Sequence, residues 1–267
     1  MMKYLFAVVA SAAMVGSVFA AEALQIKKYA DYNGGKRYAA FVKDIDNGVR
    51  ITNKGKFVQI ESVKQIPIDL KKKYQISCEY RLAPGSKTTG FFYFAPVCYD
   101  KNGKQITAVA QNPLRGTETV LAAPVKKGDK VVKIKNGAKW IKRYGFIAFG
   151  AKADFSDLPN FNVIGIKEIA KKGAEWEIAL QTPATQAYPA GTAVREQCAA
   201  ASYRYMMYTQ QKPEWTKFSR ILTGAKFKGA PQYPYSWRSG TARAGIIVFT
   251  NGTVDMELRN VSITEVK

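Results

Sequence analysis

Histidine is absent from this chain of 267 residues, and cysteine occurs only three times. Without histidine there can be no Ser-His-Asp or Cys-His nucleophile pair, no zinc site with a histidine ligand and no 2-His-1-carboxylate iron site. The chain also has no G-x-S-x-G, no Gly-rich phosphate loop and no C-x-x-C. These absences exclude a large part of hydrolytic and redox chemistry, and we predict that the protein is not an enzyme.

Acidic residues are scarce as well. Lys and Arg number 41 against 20 Asp and Glu, which gives a formal net charge of +21. Such a positive field attracts polyanions and raises their encounter rate. No zinc spacing, recognition helix or RNP-type aromatic motif accompanies the charge, so we expect no specific nucleic-acid partner. Acidic or cell-envelope polysaccharides are the expected anionic partners, and the oligomeric state is left open.

Only the N-terminus has a long apolar run. Met1 to Lys3 form a short positive region, Tyr4 to Phe19 are apolar or small, and Val18-Phe19-Ala20 resembles an A-x-A cleavage site. These three parts predict a secretory signal peptide over residues 1–20, and therefore export to the periplasm, the cell surface or the extracellular space. The run is shorter than the ~20 apolar residues that a spanning helix needs. We expect no membrane-spanning segment.

The three cysteines, Cys78, Cys98 and Cys198, allow at most one intramolecular disulfide. Cys78 and Cys98 lie in strand-like runs on either side of a turn and could approach each other. Three buried apolar thiols are an equally favoured alternative.

Hydrophobic alternation with a period of two dominates the rest of the chain. Strands are predicted at Phe57–Glu61, Tyr74–Arg81, Gly90–Tyr99, Gln105–Val109, Gly145–Phe149, Val163–Ala170, Glu175–Leu180, Ser202–Tyr208, Phe218–Thr223, Ala244–Phe249 and Val254–Thr264. Short strands with frequent turn signals indicate an all-β sandwich or jelly roll. Between about residues 113 and 199 the strands are shorter and Gly-containing turns more frequent. We therefore predict a jelly-roll sandwich built from residues 21–112 and 200–267, interrupted by a β-rich insertion over 113–199.

Four short segments carry a resemblance to a known group of folds. They are Ile66–Ser77, Tyr99–Ile106 with its Asp-Lys-Asn-Gly turn, Glu214–Ser219 with its W-x-x-F-S pattern, and Val254–Val266. Together they resemble the strand entry, a hairpin, a later strand and the closing strand of secreted jelly-roll carbohydrate-binding modules of the galactose-binding-domain-like type. The resemblance implies a jelly roll that binds sugars without cleaving them.

The closing strand departs from that group at one place. There the modules usually have an Asp that helps to hold a structural calcium ion, whereas this chain has Arg259 and Asn260. Asp255 and Glu257 alternate with apolar residues, as on a solvated strand face. Because calcium needs 6–8 oxygen ligands, we predict no metal ligands and leave a structural calcium ion open.

The segment Gln232–Arg238 is the strongest candidate for a binding loop. Tyr233, Tyr235 and Trp237 could stack on the apolar faces of sugar rings, and Arg238 could bond hydroxyl or carboxylate groups. The alternative, equally weighted, is that Trp237 and one tyrosine cap the core. A second tyrosine cluster, Tyr203, Tyr205 and Tyr208, is expected to be partly buried, because alternation puts Tyr208 on the face opposite to the other two.

The function predicted from these observations is non-catalytic binding of an acidic or cell-envelope polysaccharide. The alternative is a structural or adhesive envelope protein that contacts protein partners. A polysaccharide-cleaving enzyme comes third. Its two acids would be Asp154 and Asp157, but the Asp/Ser/Pro/Asn composition around them is favoured as ordinary turn chemistry.

Overall fold

In the computed structural model the described residues are 24–87, 90–141, 144–199, 205–227 and 235–266. The predicted signal peptide at residues 1–20 lies outside them, as do Tyr203 and Tyr233. Strands make up 50% of the structure and helix 3%, so the predicted all-β class is confirmed. Among the described residues no helix is long and apolar enough to cross a membrane.

Nineteen strands are present among the described residues. They are β1 (Leu24–Ile26), β2 (Val42–Ile45), β3 (Gly48–Thr52), β4 (Val58–Glu61), β5 (Ile66–Pro67), β6 (Lys73–Leu82), β7 (Phe91–Tyr99), β8 (Thr119–Val120), β9 (Val131–Ile134), β10 (Gly145–Phe149), β11 (Val163–Lys172), β12 (Glu175–Leu180), β13 (Ala193–Cys198), β14 (Met207–Thr209), β15 (Thr216–Thr223), β16 (Ala225–Lys226), β17 (Trp237–Arg238), β18 (Arg243–Asn251) and β19 (Asp255–Val266). The helical elements given for the described part of the chain are a 3₁₀ turn at Tyr29–Asp31 and one short helix, α1, at Gly35–Tyr38.

Two antiparallel sheets enclose the larger hydrophobic core. Sheet I has the order β15-β6-β19-β3-β2, with β1 also paired to β19, and sheet II has the order β14-β7-β18-β4, with β5 also paired to β18. Alternation sends Ile76, Cys78 and Tyr80 of β6 and Phe92 and Phe94 of β7 into this shared core. The sheets form a sandwich, while its jelly-roll connectivity stays a prediction.

A third sheet, with the order β8-β13-β10-β11-β12-β9, has its own core. Its first and last strands join, because the Ala122 amide donates to the Lys133 carbonyl oxygen at 2.8 Å and the Lys135 amide to the Val120 carbonyl oxygen at 3.0 Å. The sheet therefore closes on itself, and we call it the barrel. Closure leaves it no unpaired edge. Its core residues all come from positions 121–194, while those of the sandwich come from positions on either side.

One predicted strand is wrong, and of another, Ser202–Tyr208, only Met207 and Tyr208 lie in a strand among the described residues. Residues 105–109 form no strand; Gln105 makes a single bridge with Tyr99. The Ile106 side chain is buried in the sandwich core. Farther on, the Gln111 amide group donates to the Ser239 carbonyl oxygen at 2.9 Å, so the chain leaves sheet II here and crosses toward the barrel. Alternation alone does not reveal that a segment has no neighbouring strand to pair with.

All three cysteines are buried, and none of them is in a disulfide. Cys78 and Cys98 both lie in the sandwich core, and burial raises the pKa of the Cys78 thiol well above its usual value. Neither the bridge nor any other disulfide forms, and the thiols act as small apolar core residues.

Candidate site: an aromatic strip on the outer face of sheet II

Six aromatic rings lie side by side on the outer face of sheet II, the face turned away from the sandwich core. They belong to Phe57, Phe91, Tyr93, Tyr205, Tyr208 and Phe249, and we call them the aromatic strip. Phe91 and Tyr93 alternate along β7 with Phe92 and Phe94, which point into the core. The same strand therefore supplies rings to the core and to the surface.

Strand register brings the strip together from distant parts of the chain. Tyr208 of β14 lies opposite Tyr93 of β7, Tyr93 opposite Phe249 of β18, and Phe249 opposite Gln59 of β4. With neighbouring strands ~4.8 Å apart, this row extends about 14 Å across the sheet. It is long enough to accommodate an extended ligand rather than one small molecule.

The rings form a continuous contact network. Tyr93 and Phe249 stack nearly parallel, with ring centroids 4.0 Å apart and an interplanar angle of 10°. Tyr208 stacks on Phe91 at 4.5 Å and contacts Tyr93 at 4.6 Å. Tyr205 lies 4.8 Å from Tyr93 and 5.0 Å from Phe249. Phe57 closes the far end, with its centroid 5.4 Å from that of Phe249.

The strip has a buried base and an exposed surface. Phe249 is only 8% exposed, whereas Phe57 is 52%, Tyr205 36% and Tyr208 55% exposed. The Tyr93 hydroxyl hydrogen-bonds to Tyr208 and to the Asn251 amide group, and burial is the main cause of its raised pKa. The phenol is therefore neutral, and the hydrogen bonds hold the rings in place before any ligand arrives.

Phe57 is positioned by a buried asparagine in the preceding turn. The Asn53 amide nitrogen donates to the Thr250 hydroxyl and to the Gly252 carbonyl oxygen, both at 2.8 Å. Its amide oxygen accepts from the backbone N–H of Val254 at 2.8 Å and of Gly55 at 3.1 Å. These bonds tie the turn before β4 to the turn after β18. The exposed Phe57 ring is thereby fixed beside Phe249.

The structure describes three of the four predicted binding residues, and only one of the three is exposed. Trp237 is fully buried and makes an edge-to-face contact with Tyr74 in the core at 5.7 Å. Its indole has no face available to a sugar. Trp237 therefore has the position of a core residue, which was the alternative prediction. Arg238 is also buried and donates to the Ile106 carbonyl oxygen. Tyr235 is 54% exposed, with the Arg220 guanidinium 5.3 Å from its ring centroid; Tyr233 lies outside the described residues.

Asp154 and Asp157, the two acids of the enzyme hypothesis, are hydrogen-bonded within a turn. The Asp157 carboxylate accepts from the buried Arg195 guanidinium at 2.9 Å and from the Asn160 amide group at 2.9 Å. The Asp154 carboxylate accepts from the Ser156 amide at 3.0 Å, and this bond lowers its pKa. Both carboxylates accept bonds from local backbone, as in ordinary turn chemistry, and Asp157 also pairs with a buried cation.

The two acids of the closing strand, Asp255 and Glu257, are also paired with arginines. Asp255 takes both hydrogen bonds of the Arg50 guanidinium fork at 2.8 Å, and Glu257 pairs with Arg81 at 2.7 Å. No group of three or more metal-ligating side chains occurs in the part of the chain that the structure describes. With their oxygens held by arginines, Asp255 and Glu257 have little capacity left for a calcium ion.

None of the binding residues predicted from the sequence belongs to the aromatic strip. Tyr205 and Tyr208 were expected on opposite faces, but Tyr205 precedes β14, so the alternation rule does not apply to it, and both tyrosines contact Tyr93. One signal was available. Phe91 to Phe94 are four aromatics in succession, and in a strand such a run must place rings on both faces of the sheet.

Comparison with known proteins was negative on two counts. No protein-family model matches the chain, and no curated protein is similar to it at a significant level. The functional argument therefore depends on the geometry of the aromatic strip.

Proposed function

We propose that the protein binds polysaccharide, without catalysis, on the aromatic strip of sheet II. The observation that carries the proposal is the aromatic strip, in which the exposed rings of Phe57, Tyr205 and Tyr208 lie beside amide and hydroxyl groups. Flat aromatic faces stack on the apolar faces of sugar rings, and the Tyr208 hydroxyl and the Gln59 and Asn251 amides can bond sugar hydroxyls. Four of the six rings lie on strands and Phe57 is fixed by the Asn53 turn, so little ordering is needed on binding.

The positive charge has a separate role in this proposal. A net charge of +21 attracts anionic polymers over distances of about a Debye length and raises the association rate. Stacking and hydrogen bonding then hold the bound chain. Binding at the strip should therefore persist at ~0.5 M salt, where long-range attraction is screened.

Affinity electrophoresis through gels that contain neutral or acidic polysaccharides tests the proposal. We expect retardation that persists at ~0.5 M salt, and Phe57→Ala and Tyr208→Ala should each weaken binding by about tenfold, or about 1.4 kcal/mol. The matched control is Tyr235→Ala, which removes an equally exposed ring outside the strip. If Tyr235→Ala abolished retardation and Tyr208→Ala did not, the segment Gln232–Arg238 would be the site instead.

Export belongs to the same proposal. The N-terminal pattern of residues 1–20 directs the chain out of the cytoplasm, where envelope and extracellular polysaccharides occur. The intact mass of the exported protein should correspond to a chain that begins at Ala21. A mass that includes residues 1–20 would contradict cleavage.

A protein partner is the second candidate, and one observation favours it. Phe57 and Phe91 have no polar group at the ring tip, and exposed apolar patches also mark protein-binding surfaces. This function would gain support if no polysaccharide retarded the protein while Phe57→Ala abolished its concentration-dependent self-association or adhesion.

A further inference from the structure

A depression of about 450 Å³ adjoins the Phe57 end of the aromatic strip. One side of it consists of Phe57, Gln59 and Glu61, and the other of Asn33, Lys36 and Arg37. Because Gln59 lies directly opposite Phe249 across the sheet, the depression continues the row of the strip beyond its last ring. A polymer lying along the strip would extend into it.

The chain segment before β2 forms the basic side of this depression. Tyr32 makes a β-bridge with Ser62, the Asn33 amide donates to the Glu61 carbonyl oxygen, and the Val63 amide donates to the Asp31 carbonyl oxygen at 2.8 Å. These bonds run the segment along the edge of β4. The helix α1 is thereby placed with its two cations beside the outer face of sheet II.

Lys36 and Arg37 are exposed and form no ion pair with any described residue. Arg50, Arg81 and Arg259, on sheet I, are each paired with a carboxylate. The Arg37 guanidinium instead lies 5.1 Å from the centroid of the Tyr38 ring, a contact that does not neutralise its charge as a carboxylate would. The depression thus contains two cations whose donors are available to a ligand.

Glu61 is the acidic group of the depression. It accepts a hydrogen bond from the Gln59 amide group at 3.1 Å and is also hydrogen-bonded to Tyr99. Burial raises the pKa of its carboxyl group. Its oxygens are hydrogen-bonded on the sheet surface, and the cationic side chains of the depression without a described carboxylate partner are those of Lys36 and Arg37.

We propose that Lys36 and Arg37 bind the carboxylate or sulfate group of an acidic polysaccharide whose neighbouring sugar rings stack on the aromatic strip. The guanidinium group offers a planar fork that matches carboxylate and sulfate oxygens, and the ammonium group adds a point charge. This inference rests on the proposed function and names the chemical class of its ligand. It also separates a local anion subsite from the general attraction exerted by the net charge.

The test uses two pairs of polymers that differ in the anionic group: polygalacturonate with its carboxyl-reduced form, and dextran sulfate with dextran. Affinities are measured by calorimetry on the full exported chain at ~0.15 M ionic strength. The variant is Lys36→Gln/Arg37→Gln. The matched control is Lys126→Gln/Lys127→Gln, which removes two adjacent exposed cations from the barrel and lowers the net charge by the same amount.

We expect Lys36→Gln/Arg37→Gln to bind the acidic polymer of at least one pair about tenfold more weakly than the wild type does, a loss of about 1.4 kcal/mol. Its affinity for the neutral polymer should not change. The control, Lys126→Gln/Lys127→Gln, should keep most of its affinity for the acidic polymer. The pair that responds identifies the anionic group as carboxylate or sulfate. Equal losses in the two double variants would overturn the inference, because they would reduce it to general attraction.

Glu61→Gln tests independently whether the group bound in the depression is anionic. Glu61 is the one acid among the described residues that line the depression, and its replacement should leave the affinity for acidic polymers unchanged or raise it. A loss of affinity in both Glu61→Gln and Lys36→Gln/Arg37→Gln would mean that the depression binds hydroxyl groups, and it would contradict the anionic assignment.

If the acidic and neutral polymers bound equally, the proposed function would stand and only this subsite would fail. If no polymer bound and Tyr208→Ala changed nothing, the proposed function itself would fail.

Discussion

Single aromatic side chains have opposite roles in this protein according to where the fold places them. Trp237 is buried completely and packs on Tyr74, and its indole N–H finds no acceptor among the described residues. Tyr208 is more than half exposed and stacks on Phe91. Burial of a large ring stabilises the core, whereas an exposed ring keeps a face for a ligand.

Replacing Trp237 tests its core role. Trp237→Ala should lower the free energy of unfolding by about 3–5 kcal/mol, because it leaves a large cavity. Trp237→Phe should cost less, since it fills part of the space and removes a buried N–H without an acceptor. Chemical denaturation measures both, with polysaccharide affinity measured on the folded protein. Unchanged stability together with lost affinity would place Trp237 in the binding site.

The Asp255–Arg50 pair predicts a dependence of stability on acid. Hydrogen bonds from Arg50 are the main cause of the lowered pKa of Asp255, whose ordinary value is 3.8. The folded pKa lies below the unfolded one, so this stabilisation is complete above the ordinary carboxyl range and is lost as the pH falls through the folded pKa. In Asp255→Asn the loss of unfolding free energy between about pH 5 and pH 2 should be smaller than in the wild type. Equal losses would mean that the pair does not couple folding to protons.

At the scale of elements, paired strands and their turns decide which rings meet. Phe57 and Phe249 are far apart in the chain, and the pairing of β4 with β18 brings them together. Asn53 links the two neighbouring turns through its buried amide group. The geometry of one turn therefore controls one end of the aromatic strip.

Asn53→Ala tests this control. The substitution removes four hydrogen bonds and leaves buried partners unsatisfied, so the free energy of unfolding should fall by about 1–3 kcal/mol. Affinity of the folded variant for a neutral polysaccharide should fall as well, because Phe57 loses its fixed position. Lys56→Ala, an exposed change in the same turn, is the control and should alter neither quantity. Wild-type affinity in Asn53→Ala would show that the turn does not position the ring.

The described residues form two large hydrophobic clusters, one between sheets I and II and one inside the barrel, and a small third cluster of Ala95, Val97 and Ile247 on sheet II. Polar contacts join the two parts, among them the bond from the Asn160 amide to the Ala110 carbonyl oxygen at 3.0 Å. The aromatic strip and its depression lie entirely on the sandwich. The barrel is therefore expected to affect ligand binding little.

Leu121→Ala tests whether the two cores are energetically separate. Leu121 is fully buried in the barrel, and its truncation should cost about 2–5 kcal/mol. Hydrogen exchange should become faster in β9, β10 and β12, while β6, β18 and β19 keep their protection. Faster exchange throughout the molecule would show that the two parts unfold as one cooperative unit.

Alternation of apolar residues determined the all-β class and most of the long strands, including those at Tyr74–Arg81 and Gly145–Phe149. It did so because the two faces of a strand are set by neighbours in the chain. The net charge was equally plain from composition. For the same local reason, alternation could not show that residues 105–109 make only a single bridge, from Gln105 to Tyr99, and form no strand.

The candidate site was decided by the tertiary structure. Phe57, Tyr93, Tyr205 and Phe249 come from separate segments, and register between strands, a long-range property, places their rings in contact. Burial of Trp237 depended in the same way on packing against a distant strand. An aromatic residue has the same chemistry in the core and on the surface, so the sequence by itself determined which rings the protein contains, and only the tertiary structure decided which of them face a ligand.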